Sequence, residues 1–498
     1  MINLEGHLPA LQVLVPMLLA PLVILLRPRG LAWAAASIVS LMTFAIAVQL
    51  TIGVLAGGLY TYEMGSWPAP YGIALQVDAF SALVLIVITA ASSVALLACK
   101  SSLDGEIESP RQALFYSAWL LVLAGLCGIV VAADAFNIFV FMEISSLASY
   151  VLVAGGPDKR ALPAVFKYLV MGTIGATFYL IGVGLIYMMT GTLNLADMEL
   201  RIHEVADQRP ILVAAGFITV GLALKAAVFP LHVWLPNAYT YAPNAVTVFL
   251  AACATKVSLY VLLRFDFVVF QQNLAGHEIQ FAAFLMPLAV LAILVGSAVA
   301  IFEPNLKRMF AYSSVAQIGY ILLGTSLVSL LGLTAGIVHI FNHALAKGAV
   351  FLAVACLATR LTRVDFKHLA GAARQMPWTM GALVLGGLSL IGVPGTAGFI
   401  SKWYLVMAAL ERGPLGIFLI VVIVAGSLMA LVYIWRIVET AYFQSPYKQV
   451  NDQSPGEAPL PMLVITWLAA LSSIYFGLQP SVPLLLSSAA AESLLGHL

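Results

Sequence analysis

The stretch Lys225-Ala226-Ala227-Val228-Phe229-Pro230-Leu231-His232-Val233-Trp234-Leu235-Pro236-Asn237-Ala238-Tyr239, continuing through Ala242-Pro243 to Ala254-Thr255-Lys256, decides how the rest of the chain is read. It is apolar, yet a lysine stands at each end and three prolines lie between them. A proline inside a helix removes one backbone hydrogen bond and clashes with the carbonyl four residues back. A break is therefore predicted at Pro230, with freed carbonyls beside Lys225. Irregular backbone at membrane depth is tolerated only where protein buries it or where it lines a wet cavity.

The surrounding chain is a membrane chain. Of 498 residues, 62% are hydrophobic and 9% charged, against roughly 45–50% and about 25% in soluble domains. The 23 Lys and Arg nearly balance the 22 Asp and Glu, so no basic surface for nucleic acid and no acidic tail exists. Cys99, Cys127, Cys253 and Cys356 are scattered through apolar segments and form no metal or cluster motif. Buried free thiols are expected.

A crossing helix needs about 20 apolar residues. Runs of that kind fall at 8–26, 31–56, 79–98, 112–132, 135–154, 163–190, 210–229, 243–263, 282–302, 309–329, 332–358, 378–410, 415–440 and 460–486, which makes fourteen. The first run lacks a basic lead-in and is followed by Arg27 and Arg29, so it reads as a retained anchor with its N terminus outside. With both termini outside, the inner connections carry Arg27, Arg29, Lys100, Arg111, Lys159, Arg160, Lys167, Lys307, Arg308, Arg360, Arg363, Lys367, Arg374, Arg436 and Lys448. The outer connections carry Arg201, Arg209, Arg264 and Arg412. Fifteen against four is the asymmetry that the positive-inside rule requires.

Four basic residues remain inside spans, and all are lysine: Lys225, Lys256, Lys347 and Lys402. Arginine stays protonated in proteins, whereas a desolvated lysine can release its proton near neutral pH. Asp78, Asp134, Glu411 and Glu439 lie near span ends, within reach of water, which leaves Glu143 as the carboxylate committed to a helix interior. One charge at mid-bilayer costs about 3 kcal/mol on the lenient scale. Snorkelling of a lysine, or a static Glu143 ion pair, is the bland reading of each. One acid cannot neutralise four lysines, however, so some of the amines must be neutral part of the time, which is the condition for proton transfer.

His339, His343 and Lys347 recur every fourth residue and so share one helix face over about 12 Å. Such a polar stripe in an oily helix fits a wet path. A haem fails, because two His on one helix cannot supply opposite axial ligands. Gly392-Val393-Pro394-Gly395-Thr396-Ala397-Gly398 predicts a second broken helix just before Ser401-Lys402. Ser145-Ser146-Leu147-Ala148-Ser149 also resembles Ser313-Ser314-Val315-Ala316-Gln317. Paired broken helices in two halves suggest inverted repeats around an ion site. The expected organisation is a three-helix segment (1–111), a first five-helix half-channel (112–263), a second (282–440), and a C-terminal loop and last helix (441–498). The fold class is an all-α polytopic membrane protein.

The quoted block, with Phe141-Met142-Glu143 and Phe341-Asn342-His343-Ala344-Leu345-Ala346-Lys347-Gly348, resembles the antiporter-like subunits shared by respiratory complex I, Mrp-type cation/proton antiporters and membrane-bound hydrogenases. Chain length and Lys402 look closest to the D subunit of Mrp antiporters or the hydrogenase H subunit. The resemblance implies a proton-relaying subunit of the bacterial or archaeal inner membrane, with other membrane subunits, protons and Na⁺ or another cation as partners. It implies Glu143 and Lys225 as the gating ion pair, Lys256 as the next relay, and His339, His343 and Lys347 as the central link. Lys402 is the terminal residue. No cofactor or metal is expected, because the chain has no nucleotide loop and no flavin or quinone fingerprint, so the driving chemistry belongs to neighbours. The alternative is a proton-pumping subunit of a complex I-like NADH dehydrogenase or hydrogenase. An independent solute transporter, a redox subunit and a passive scaffold are the rivals from other classes.

Overall fold

The computed structural model describes residues 4–26, 29–206, 208–270, 277–446 and 456–496. Arg27 and Lys448, two of the charges assigned to inner connections, lie outside them. The N-terminal segment is α1 (Leu8–Ile24), α2 (Arg29–Leu55), a hairpin of β1 (Tyr60–Glu63) and β2 (Ala74–Val77), then α3 (Ala79–Ala98) and a short α4 (Lys100–Glu106). The two strands pair antiparallel, Tyr60 opposite Val77. The hairpin was not expected from the sequence, whose apolar runs are all of helical length.

Next come α5 (Gln112–Val131), α6 (Ala135–Ala154), α7 (Ala161–Thr190), the connecting α8 (Leu195–Val205), α9 (Arg209–Ala226), α10 (Leu235–Tyr241) and α11 (Asn244–Arg264). They are followed by α12 (His277–Phe302), α13 (Leu306–Ser326), α14 (Leu330–Ala358), the one-turn α15 (Phe366–Leu369), α16 (Pro377–Ile391), α17 (Ala397–Leu410) and α18 (Gly413–Val438). The C-terminal pair is α19 (Leu460–Leu478) and α20 (Ser481–Leu494). Twelve described helices are long and apolar enough to cross a membrane. Adding α13, which its serines and glutamine make more polar, and the α16–α17 pair gives the fourteen expected crossings. The last span ends at Leu478 rather than 486, because Pro480 starts a separate α20 that folds back onto α14 and α3.

Short polar caps set the helix ends. Asp78, Asp134, Asn194, Asn305, Ser329 and Asp365 each accept the backbone N–H three residues on, meeting one of the orphan donors of a helix start. Between spans the backbone is also tied: Asp134 bridges to Asn194, and Asn305 to Asp365. Helix α14 is central and packs against α11, α13, α16, α17, α19 and α20.

Several helix pairs dock through glycine, two of them around the first break. A Cβ at Gly175 on α7 would lie 2.8 Å from the Gly221 carbonyl of α9, and one at Gly221 would lie 2.5 Å from that of Gly175. A Cβ at Gly125 on α5 would lie 2.7 Å from the Ser145 nitrogen of α6. Backbone therefore meets backbone at both contacts.

Candidate functional site

Both predicted breaks exist. Helix α9 stops at Ala226, Ala227 takes a left-handed φ of 56°, and the chain runs irregularly past Pro230 to α10. Helix α16 stops at Gly392, whose φ of 88° suits glycine, and α17 begins at Ala397. The carbonyls freed at the first break do not serve Lys225, contrary to expectation. The Trp234 indole N–H donates to the Leu224 carbonyl at 2.9 Å, and the Val228 N–H donates to that of Ala223 at 3.0 Å.

Lys225 instead turns to α6. Its Nζ lies 3.3 Å from Glu143 Oε1 and donates to Ser146 Oγ at 2.8 Å. Its side chain is 6% exposed, whereas that of Glu143 is 27% exposed. Glu143 sits mid-helix, as expected, but at the edge of an outward face formed by Phe136, Val140, Leu147 and Val151. Beside Lys225 is a cavity of about 30 Å³ lined by Ser145, Ser146, Ser149 and Tyr168 and by Ala254, Val257 and Ser258 of α11. That is the volume of about two waters, with the serines and Lys225 as its polar groups among mostly apolar neighbours. It separates Lys225 from the helix that carries Lys256.

The three other lysines touch no carboxylate among the described residues. Lys256, fully buried, donates to the Ala251 carbonyl of its own helix. Lys347 donates to the Phe310 carbonyl at 2.7 Å and to Ser313 Oγ. Lys402 donates to the carbonyls of Leu390 and Ile391 at 3.0 and 2.9 Å, and to Ser427 Oγ at 3.0 Å. The freed carbonyls of a broken helix thus serve Lys402, on the far side of the second break. A groove of about 230 Å³ between α17 and α18 opens beside it.

The histidines connect these amines. His339 holds Ser401 Oγ at 2.7 Å through Nδ1 and Gln317 Oε1 at 3.0 Å through Nε2. The His339 and His343 rings lie 6.1 Å apart and nearly parallel. His343 is 1% exposed, and neither ring nitrogen has a protein hydrogen-bond partner. It stands among Lys256, Lys347 and His339, all within electrostatic range. Tyr320 completes the line, with Lys402 Nζ 4.6 Å from its ring centre and the His339 ring 5.7 Å away. The residues named from the sequence therefore form two groups: Glu143 with Lys225, and Lys256, His343, Lys347, His339 and Lys402.

Sequence reasoning missed several members. Ser146, Ser313, Gln317, Tyr320 and Ser401 are ordinary polar residues whose value comes from facing a lysine or histidine on another helix. Ser146 and Ser313 lie in the two resembling serine runs, which was the signal available. Three charges placed at span ends or in connections are more enclosed than that. Asp78 and Arg264 form an ion pair with side chains 16% and 15% exposed, and Lys307 is 9% exposed. The four cysteines are buried and free.

Residues 132–430 match the family described as NADH:quinone oxidoreductase/Mrp antiporter, TM. The NADH-quinone oxidoreductase N subunit of Desulforudis audaxviator (strain MP104C) is 40% identical over 95% of this chain and 96% of its own length. The Na(+)/H(+) antiporter D subunit of Alkalihalophilus pseudofirmus (strain ATCC BAA-2126 / JCM 17055 / OF4) is 29% identical over 87% of this chain and 86% of that one. Among solved structures, a chain of the Mrp complex from Dietzia sp. DQ12-45-1b superposes with a TM-score of 0.90 at 26% identity, covering 99% of this chain and 98% of the other. The expected lean toward the Mrp D subunit is thus not what identity favours. From the matched family region and the 40% relative, this chain belongs to the NADH:quinone oxidoreductase/Mrp antiporter family of membrane subunits.

Proposed function

We propose that the chain is a proton-translocating subunit of a multisubunit membrane complex, of the complex I-like NADH dehydrogenase kind in which its 40% relative is named. The observation that carries this reading is the pairing of Lys225 with Glu143, while three further buried lysines rest on carbonyls and hydroxyls. Amines held this way can be neutral or charged with little rearrangement, and four of them with two histidines make a relay. With Glu143 in contact, the Lys225 ammonium has its counter-charge. Withdrawing Glu143 removes it and drives the proton across the small cavity toward Lys256, then through His343, Lys347 and His339 to Lys402.

Partner subunits are supported by the exposure of Glu143. A carboxylate 27% exposed on an apolar flank would cost about 3 kcal/mol facing lipid, so a neighbouring chain is the fitting cover. A place in an Mrp-type antiporter is the second reading, supported by the antiporter D subunit that is 29% identical over 87% of this chain. We further propose that both termini face outside, on the charge asymmetry. Inverted repeats over 112–263 and 282–440 are supported by the fourth crossing of each being the broken one.

The test is Lys225→Ala in membranes that retain the assembled complex. Transport should fall to background, and full activity would remove the proposal. The proteins that co-purify decide between the two host complexes.

A further inference from the structure

At the end of the bundle read above as inner, a half-buried acid and a buried lysine, Glu106 and Lys307, meet one turn of the chain from different helices. Glu106, the last residue of α4, accepts the Asn244 backbone N–H at 2.9 Å and Ser102 Oγ at 3.0 Å, and is also bonded by Asn244 Nδ2. It therefore caps the start of α11 from a different helix. Lys307, in the first turn of α13, donates to the Ala242 carbonyl at 2.9 Å. The pair clasps the Ala242–Asn244 turn from both sides, and the two charges are electrostatically coupled. This turn closes α10, the second half of the broken helix whose first half, α9, ends beside Lys225. One turn along α13 from Lys307 is Phe310, whose carbonyl receives Lys347.

We infer that Glu106 and Lys307 are the inner loading pair of the relay, taking protons from inner water and passing them toward Lys347; this rests on the proposed transport function. A proton joins a Glu106 oxygen, and the carboxylate becomes a neutral carboxyl. Lys307 loses its counter-charge and gives its proton along α13 toward Lys347. Glu106, which does not touch Lys307, then returns its own proton to it through intervening water and is ionised again. One proton has moved inward and both groups are reset. Burial pushes the Glu106 carboxyl above the ordinary carboxylate range, against the pull of Lys307, the Asn244 amide and Ser102. The groups facing the pair are Asn244 from α11, Ser102 from α4, and the Cys99 thiol, which in turn lies near Cys356 of α14. None of these supplies a rival carboxylate.

The experiment follows proton uptake by inverted vesicles bearing the whole complex, with medium pH varied on the exposed inner face. Glu106→Gln keeps the shape and the contacts of one oxygen, loses those of the other and cannot carry the proton, and should slow uptake at least about tenfold and remove its pH dependence at the inner face. Glu106→Asp should restore part of the rate with a shifted profile. Asn244→Ala, which loosens the turn, removes one donor and leaves the carboxylate, should stay pH-dependent with its profile moved to higher pH. If Glu106→Gln retains the wild-type rate and profile, or if Asn244→Ala reproduces its effect, the pair is a structural clasp and the inference fails. If Glu106→Gln does not accumulate, the profile of Glu106→Asp decides, and an unshifted one overturns the proposal. Lys225→Ala in parallel separates the cases: retained transport there rejects the transport function itself.

Discussion

The Ser401 hydroxyl lies 2.7 Å from His339 Nδ1, one residue before Lys402, so the histidine of the central helix is joined to the helix bearing the terminal lysine. The other ring nitrogen is held by Gln317, which fixes the ring between α13 and α17. A ring gripped at both nitrogens has a set orientation toward Lys402, and it reports any shift of α17 directly to the stripe on α14.

Ser401→Ala removes one side of that grip without touching a titrating group. A lost hydrogen bond of this kind is worth about 1 kcal/mol, so the rate of proton transport should fall roughly fivefold. Fluorescence quenching in energised inverted vesicles measures it, and Ser401→Thr should recover most of the loss. An unchanged Ala rate would show that the contact is incidental.

His343 presents the opposite case, a buried ring with no protein partner for either nitrogen. Replacing a buried polar group that lacks protein partners by an apolar one of similar volume is close to neutral for stability. His343→Leu should therefore change the thermal midpoint in detergent little, while transport drops by more than about tenfold. A large loss of stability with transport retained would mean that the ring packs rather than conducts.

The Asp78–Arg264 pair gives a pH dependence of the opposite origin, at the far end of the bundle. Burial alone would raise the Asp78 carboxyl, but the charge and hydrogen bonds of Arg264 hold it below its ordinary 3.8. A depressed carboxylate stabilises the fold above its unfolded value, and that stability is lost as pH falls through the lower native value. Thermal midpoints should thus be flat with respect to this pair above about pH 5 and decline in acid. Asp78→Asn leaves a mostly buried guanidinium without its counter-charge, at a cost of about 3 kcal/mol, and should flatten the acid decline. An Asn variant as stable as the parent at neutral pH contradicts this.

The crossings were legible because hydropathy at span length is the strongest signal a sequence carries, and the boundaries of α3, α6 and α11 agree with it to within a residue. The pairing of Glu143 with Lys225 was legible for a different reason: a single mid-helix acid had few cations to choose from. What could not be read was the recipient of each freed carbonyl. Trp234 takes the one beside Lys225, whereas Lys402 reaches back over its own break. Those outcomes depend on the direction a chain takes after a proline, which local sequence does not specify. Glu106 with Lys307 was invisible for a related reason. Lys307 looked like a charge in a connection and nothing in the sequence singled out Glu106, and only the folding of distant connections onto one turn brings them to the same place.

The glycine contacts bear on how the Glu143–Lys225 gate can open. Gly125 fastens α6 to α5, and Gly175 with Gly221 fastens α9 to α7, each at backbone distance. The acid and the lysine are thus mounted on two separate rigid blocks, with the bond between them crossing the seam. Opening by a swing of one helix would tear a close-packed backbone contact. Sliding one block past the other keeps both glycine contacts intact, so the gate behaves as a shear joint, and the seam that must slip is crossed by the Lys225 bonds to Glu143 and Ser146 and by the Tyr179 hydroxyl on the Ala135 carbonyl.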